Sequence, residues 1–178
     1  MDFIINRLYI IPGIIVGLAF HEFAHAWVAN LLGDPTAKRL GRLTLDPVKH
    51  IDPIGLLMLM VAGFGWGKPV PVDERYFKRI GRDNLLVSLA GPVMNLLVAT
   101  GFMVILKIMF TVNAGFFVTG IGSNIRDILL YAVQINLVLI IFNLVPIPPL
   151  DGYHILSSIG DFRGKGLHYQ LYEKGRFI

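Results

Sequence analysis

The chain has 178 residues, of which 54% are hydrophobic and only 16% charged, with a mean hydropathy of +0.64. Soluble domains carry about 25% charged residues, so this balance excludes an ordinary water-soluble protein; the lack of any cysteine excludes disulfides, thiolate metal sites and a cysteine nucleophile. The net charge of +4 does not indicate a nucleic-acid partner, because Lys and Arg lie in short clusters between apolar runs, a pattern that suits loops facing an anionic lipid surface.

The first apolar segment, Leu8 to Leu32, is long enough to cross the roughly 30 Å hydrocarbon core as a helix. It contains His21, Glu22 and His25, and Gly13 and Gly17 form a small-xxx-small pair for close helix packing. A cleaved signal peptide fits poorly, since Asp2 and a lone Arg7 make a weak basic region and three ionisable groups sit inside the apolar part. A polar stretch from Gly33 to Pro53 carries Lys38, Arg39, Arg42 and Lys49, and the apolar run that follows, Ile54 to Phe64, is too short to span. It leads into Gly63 to Val72, where glycines permit unusual backbone and spaced prolines forbid a helix, so Ile54 to Val72 is expected to form a re-entrant or interfacial β-like hairpin.

A second basic cluster, Arg75, Lys78, Arg79 and Arg82, precedes the second span, Leu85 to Val112, and Ile128 to Val145 forms the third. Asn113 to Ile125 contains no Lys or Arg, whereas Arg163, Lys165, Lys174 and Arg176 follow the third span. The positive-inside rule then turns every basic loop toward the cytoplasm. The expected fold is mostly α: three spanning helices and a re-entrant hairpin in a multi-pass membrane protein. With no linker or repeat to divide it, 1–178 is expected to be one domain.

His21-Glu22-Phe23-Ala24-His25 is an H-E-x-x-H pattern on a predicted helix. Imidazoles four residues apart lie about 40° apart around the axis and can share one tetrahedral zinc. The Glu between them can take a proton from metal-bound water, whose pKa zinc lowers toward about 7, and hand it to a leaving amine. Five residues alone are a moderately specific signal, but charged groups in a spanning helix cost on the order of 2.5–3.5 kcal/mol each. An accidental His-Glu-His trio in lipid, serving only as a polar cluster between helices, is therefore disfavoured. For the third ligand, Leu31 rules out the soluble pattern with a later His, and Glu74 and Glu173 lie in basic segments. Asp151 stands out, because Asn143 to Gly152 breaks the third helix with three prolines and can aim a carboxylate into a protein-lined cavity; taken alone, Pro-Pro-Leu-Asp-Gly is also an ordinary turn. His154 is a substitute ligand to weigh against Asp151, His50 and His168 have no partner motif, and Lys107 reads as a residue snorkelling from the second span.

Three motifs in order, His21 to His25, Gly91-Pro92-Val93-Met94-Asn95 and Asn143 to Gly152, resemble the site-2 protease family of intramembrane zinc metalloproteases over essentially the whole chain. The resemblance implies one Zn²⁺ per chain held by His21, His25 and Asp151, with Glu22 as general base. It implies Asn143 and Asn95 as polar groups near the scissile peptide, able to donate to the oxyanion; an interhelical hydrogen bond is the alternative for either. It further implies a membrane-spanning protein substrate and a prokaryotic cell membrane. Gly41 to Pro47 and Gly65 to Val72 look like loops of the short members, and no regulatory domain fits in this length. Such proteins continue into another hydrophobic helix after a stretch like Tyr169 to Ile178, so the chain reads as truncated there. Gly65 to Val72 is expected to offer an extended edge to an unwound substrate, or else to anchor the membrane surface through Trp66. An inactive scaffold or a metal-ion carrier could use the same His/Asp trio, but neither needs Glu22. His₂Asp also suits Co²⁺ or Mn²⁺.

Overall fold

The uninterrupted apolar character from Leu8 onward yields one long helix, α1 (Asp2–Leu31), which continues through Pro12. The structure, a computed structural model, describes residues 2–63 and 65–162. Along this described chain follow α2 (Thr36–Arg39), α3 (Pro53–Ala62), α4 (Ile80–Asn113), α5 (Gly120–Asn143) and α6 (Asp151–Phe162). Three segments are long and apolar enough to cross a membrane: Leu8–Leu31, Ile80–Val118 and Gly120–Asn143.

Most of the expected spans are extended, not displaced. The third begins at Gly120 instead of Ile128, and the expected loop from Asn113 to Ile125 shrinks to a 3₁₀ turn, Ala114–Val118. Side-chain caps make so tight a reversal possible: Asn113 Oδ1 accepts from the Phe116 N–H at 3.2 Å and Thr119 Oγ1 from the Gly122 N–H at 3.0 Å. At the other end α5 stops at Asn143, just before the proline run. Helix α6 was not foreseen. Residues 163–178 lie outside the described residues, and with them His168, the last basic cluster and the junction to any following helix; so does Phe64.

The expected β-like hairpin is corrected in form. Its first arm is a helix, α3, which starts on Asp52 as cap with Pro53 in its first position and ends at Gly63 in the left-handed conformation, φ 81°. Ten residues rise only about 15 Å, half the hydrocarbon thickness. Its second arm is extended but forms no strand among the described residues; a single antiparallel bridge joins Ile51 to Gly67. Pro69 and Pro71 lack the N–H groups a longer ladder would need. The loop before α3 holds this arm in place: Arg42 Nη2 donates to the Lys68 carbonyl at 2.6 Å, and the Lys68 N–H donates to the His50 carbonyl at 2.8 Å. His50, fully buried, is fixed in turn by its Nε2 against the Thr44 carbonyl, 2.8 Å.

Helices α1, α4 and α5 pack on one another, and α6 packs on α4. Their contact faces are built from small residues, Ala19, Ala24, Ala26 and Ala29 on α1, Ala99 on α4 and Ala132 on α5, all buried. Large apolar side chains point outward instead, among them Val93, Leu97, Ile105 and Ile141, all at least 45% exposed. In water such a surface would drive aggregation; in lipid it costs nothing, and close packing of small residues is what holds spanning helices together. Gly13 carries this furthest, since a Cβ there would lie 2.6 Å from the Ala132 Cα and 2.8 Å from Ile135 Cγ2. Gly13→Val is expected to push α1 from α5 and destabilise the fold by about 1–3 kcal/mol. Gly101→Ala, with nothing within 4 Å of the added methyl, is expected to leave thermal unfolding in detergent unchanged or raised. Equal losses in the two melting curves would show that the contact is not tight.

Candidate metal centre

His21 and His25 lie one helical turn apart on α1 and both rings are buried, facing α4. Their orientation follows from what Nδ1 of each can bond. The His25 Nδ1 lies 2.8 Å from the Val87 carbonyl, which only accepts, so this nitrogen carries the proton. The His21 Nδ1 lies 2.6 Å from Asn95 Oδ1. The Asn95 amide is itself fixed, because its Nδ2 donates to the Gly17 carbonyl at 3.1 Å and to Asn136 Oδ1 at 2.8 Å. With Nδ1 donating on both rings, Nε2 is the atom each imidazole has left for a ligand, and these two nitrogens are 3.0 Å apart.

Asp151, the first residue of α6, completes the cluster. Its Oδ2 lies 3.2 Å from His21 Nε2 and its Oδ1 3.3 Å from His25 Nε2. As a carboxylate Asp151 offers acceptors only, and its buried Oδ2 has no hydrogen-bond partner. Were both imidazoles neutral, two nitrogen lone pairs would face the carboxylate, an arrangement that a bound cation would stabilise. His21, His25 and Asp151 are the one such metal-holding group among the described residues, with donor atoms within 4.8 Å of one another. Two His and one carboxylate form a borderline-soft donor set that suits Zn²⁺.

Gly91 makes the approach of α4 possible. A Cβ there would collide with His21 Cε1 and would lie 2.5 Å from His25 Nε2 and 2.7 Å from His21 Nδ1. Beside the trio opens a cavity of about 320 Å³ lined by Glu22, Val70, Asn84, Ser88, Asn143 and His154 together with the three donors. Glu22 Oε2 accepts from the Val70 N–H of the extended arm at 2.8 Å. Asn143 faces the cavity at the end of α5, with Nδ2 donating to the Leu139 carbonyl at 2.9 Å. His154 lines the cavity without joining the donor group.

Of the two expectations for Asn95, the interhelical hydrogen bond is the one the structure displays. Asn95 is fully buried behind His21, and both its amide hydrogens are taken by Gly17 and Asn136, so it has none to offer an oxyanion. Asn136, which the sequence reading passed over, closes the chain of contacts by donating to the Ala132 carbonyl at 2.8 Å. Its signal was present, a single Asn in an otherwise apolar stretch of a spanning helix. Asn84, Ser88 and the Val70 N–H were also missed; the last is invisible in any list of side chains.

The family model for peptidase family M50, the site-2 protease family, matches residues 9–172. Among curated proteins, the chain is 44% identical over 151 residues to YwhC of Bacillus subtilis, named as a candidate zinc metalloprotease, covering 85% of this chain and 68% of that one. It is 34% identical over 153 residues to Rip2 of Mycobacterium tuberculosis, covering 83% of this chain and 56% of that one. It is 29% identical over 141 residues to MJ0611 of Methanocaldococcus jannaschii, covering 79% and 65%. Both are likewise named as candidate zinc metalloproteases. The chain thus spans between about half and two thirds of these relatives' lengths, and no solved structure matches it significantly. A match over nearly the entire chain, on a helical membrane protein whose H-E-x-x-H histidines meet an aspartate, makes this protein a member of peptidase family M50.

Proposed function

We propose that the chain is an intramembrane zinc endopeptidase, hydrolysing a peptide bond in or near a membrane-spanning segment of a protein substrate. The observation that carries this is the convergence of the His21 and His25 Nε2 atoms and the Asp151 carboxylate beside a cavity that Glu22 lines without joining the donors. In this proposal His21, His25 and Asp151 hold Zn²⁺, and residues 1–178 act as one domain with the basic loops on the cytoplasmic side. When bound, zinc supplies Lewis-acid polarisation and acidifies water.

The protein's own groups do the rest. Glu22 takes a proton from the attacking water as its oxygen bonds to the carbonyl carbon, then delivers that proton to the amine nitrogen as the C–N bond breaks. Asn143 keeps one Nδ2 hydrogen beyond its bond to Leu139 and offers it to the developing oxyanion. Asn95 acts indirectly, holding the tautomer and angle of His21.

The extended arm supplies an edge for an unwound substrate. Successive residues of an extended chain turn their amide groups to opposite edges. Pro69 and Pro71 strip the donors from one edge, while the other carries Val70, whose N–H meets Glu22. A substrate carbonyl taking that N–H releases the carboxylate at the moment a peptide arrives.

Reconstitution with zinc and a single-span peptide tests the assignment. Glu22→Gln is expected to bind zinc like the native chain and to lose cleavage; no cleavage by either would favour an inactive scaffold, and zinc flux across the vesicles a carrier. The two asparagines should separate by zinc titration and turnover. Asn95→Ala is expected to weaken zinc about 10–100-fold. Asn143→Ala should keep zinc and lose about 10²–10³ in kcat. Unchanged zinc affinity in Asn95→Ala would remove its positioning role. For Gly91→Ala, where the methyl would meet both imidazoles, zinc content after dialysis should fall well below one per chain; full content would mean that α4 yields freely.

A further inference from the structure

A second cavity, of about 180 Å³, lies between α1, α3 and α5 and shares no lining residue with the metal cavity. Ile14, Leu18, Trp66, Leu139 and Phe142 form its principal walls, and no charged side chain lines it. Its lining residues nonetheless neighbour those of the candidate site along three elements at once. Leu18 lies one turn before Glu22 on α1, Phe142 immediately precedes Asn143 on α5, and Trp66 lies four residues before Val70 on the extended arm. The Trp66 wall is set by backbone: a Cβ on Gly55 would strike the Trp66 carbonyl, and one on Gly65 the Gly55 carbonyl, so α3 and the arm touch main chain to main chain.

We infer that this cavity is a specificity subsite that takes a large apolar side chain, of leucine or phenylalanine size, from the substrate. The inference rests on the proteolytic function proposed above. The size is adequate, since a 150 Å³ apolar cavity in another protein holds benzene. The register follows from two periods. Four residues of α1 separate Leu18 from Glu22 by about 6 Å. An extended peptide advances about 3.3 Å per residue and returns a side chain to the same face every second residue. A side chain two residues from the one held level with Glu22 therefore enters the subsite. Leu18 lies near the middle of the Leu8–Leu31 span, so this residue belongs to the part of the substrate still within the bilayer.

The test uses the full chain with zinc in liposomes and single-span peptides that differ only at the second residue on the membrane-buried side of the mapped cut, carrying Gly, Ala, Leu or Phe. The native chain should cleave the Leu and Phe peptides roughly tenfold or more faster in kcat/KM than Gly and Ala. Leu18→Phe, which fills the cavity, should shift the preference toward Ala; Leu139→Ala, which widens it, should shift it toward Phe and larger residues. A reciprocal exchange of preference cannot come from misfolding, and the second variant keeps the test alive if the first fails to fold. Cleavage with the same preference in all three chains would overturn the subsite while leaving the protease intact, and would make the cavity a lipid-chain or packing feature. Zinc binding by the native chain without cleavage of any peptide would overturn the proteolytic assignment, and the subsite with it.

Discussion

The bonds from the two imidazole Nδ1 atoms to α4 are the constraint on which the centre depends. His21 to Asn95 and His25 to Val87 each use an acceptor whose identity is not in doubt, one a backbone carbonyl and the other an amide oxygen pinned by two donations from its own nitrogen. Fixing Nδ1 as donor leaves Nε2 as the atom free to ligate, and the two Nε2 atoms lie 3.0 Å apart, where one cation could take both. The spacing of two histidines on one helix is thus only half of the device. The other half is that α4 comes close enough to set their tautomers, and that closeness is possible because residue 91 has no side chain.

Placing polar groups at membrane depth is expensive, and the structure satisfies them through a connected set. Asn136 on α5 accepts from Asn95 on α4, which binds the backbone of α1 and orients His21 on the same helix. One chain of contacts therefore ties the three spanning helices together and ends at the candidate metal. Its members are fully or nearly fully buried, so each bond forms in low dielectric, where leaving any one unpaired is costly. Helix packing and the orientation of a ligand are here the same interaction.

What the sequence disclosed was local. His21, Glu22 and His25 announce themselves because five consecutive residues on one helix carry the pattern, and Asp151 was legible through the prolines that stop α5 in front of it. The three spans were legible because length and hydropathy are properties of a segment taken alone. Asn136 was not, since its worth depends on a partner 41 residues away. Nor was the Val70 N–H, which any non-proline residue would possess and which matters only because the arm reaches Glu22. Asn95 was found as a residue with two readings, an oxyanion donor or an interhelical hydrogen bond: the motif marks its importance, while the direction in which an amide points is decided by tertiary contacts. Helix α6 was hidden because the residues it buries are small, Gly152 close to the Leu144 and Val145 carbonyls and then Ser157 and Ser158, and it leaves no run of large apolar side chains to see.

The two prolines of the extended arm have an effect beyond the active site. A chain that displays an unpaired edge in a crowded bilayer, where main-chain donors find no water, is open to pairing with the same edge of a neighbouring copy. Pro69 and Pro71 leave the arm sterile on one side while Val70 keeps the other side receptive, facing Glu22. In the proposed reading the arm is a one-sided template: it offers the Val70 edge to a substrate, while the proline edge lacks the donors of a regular ladder between molecules.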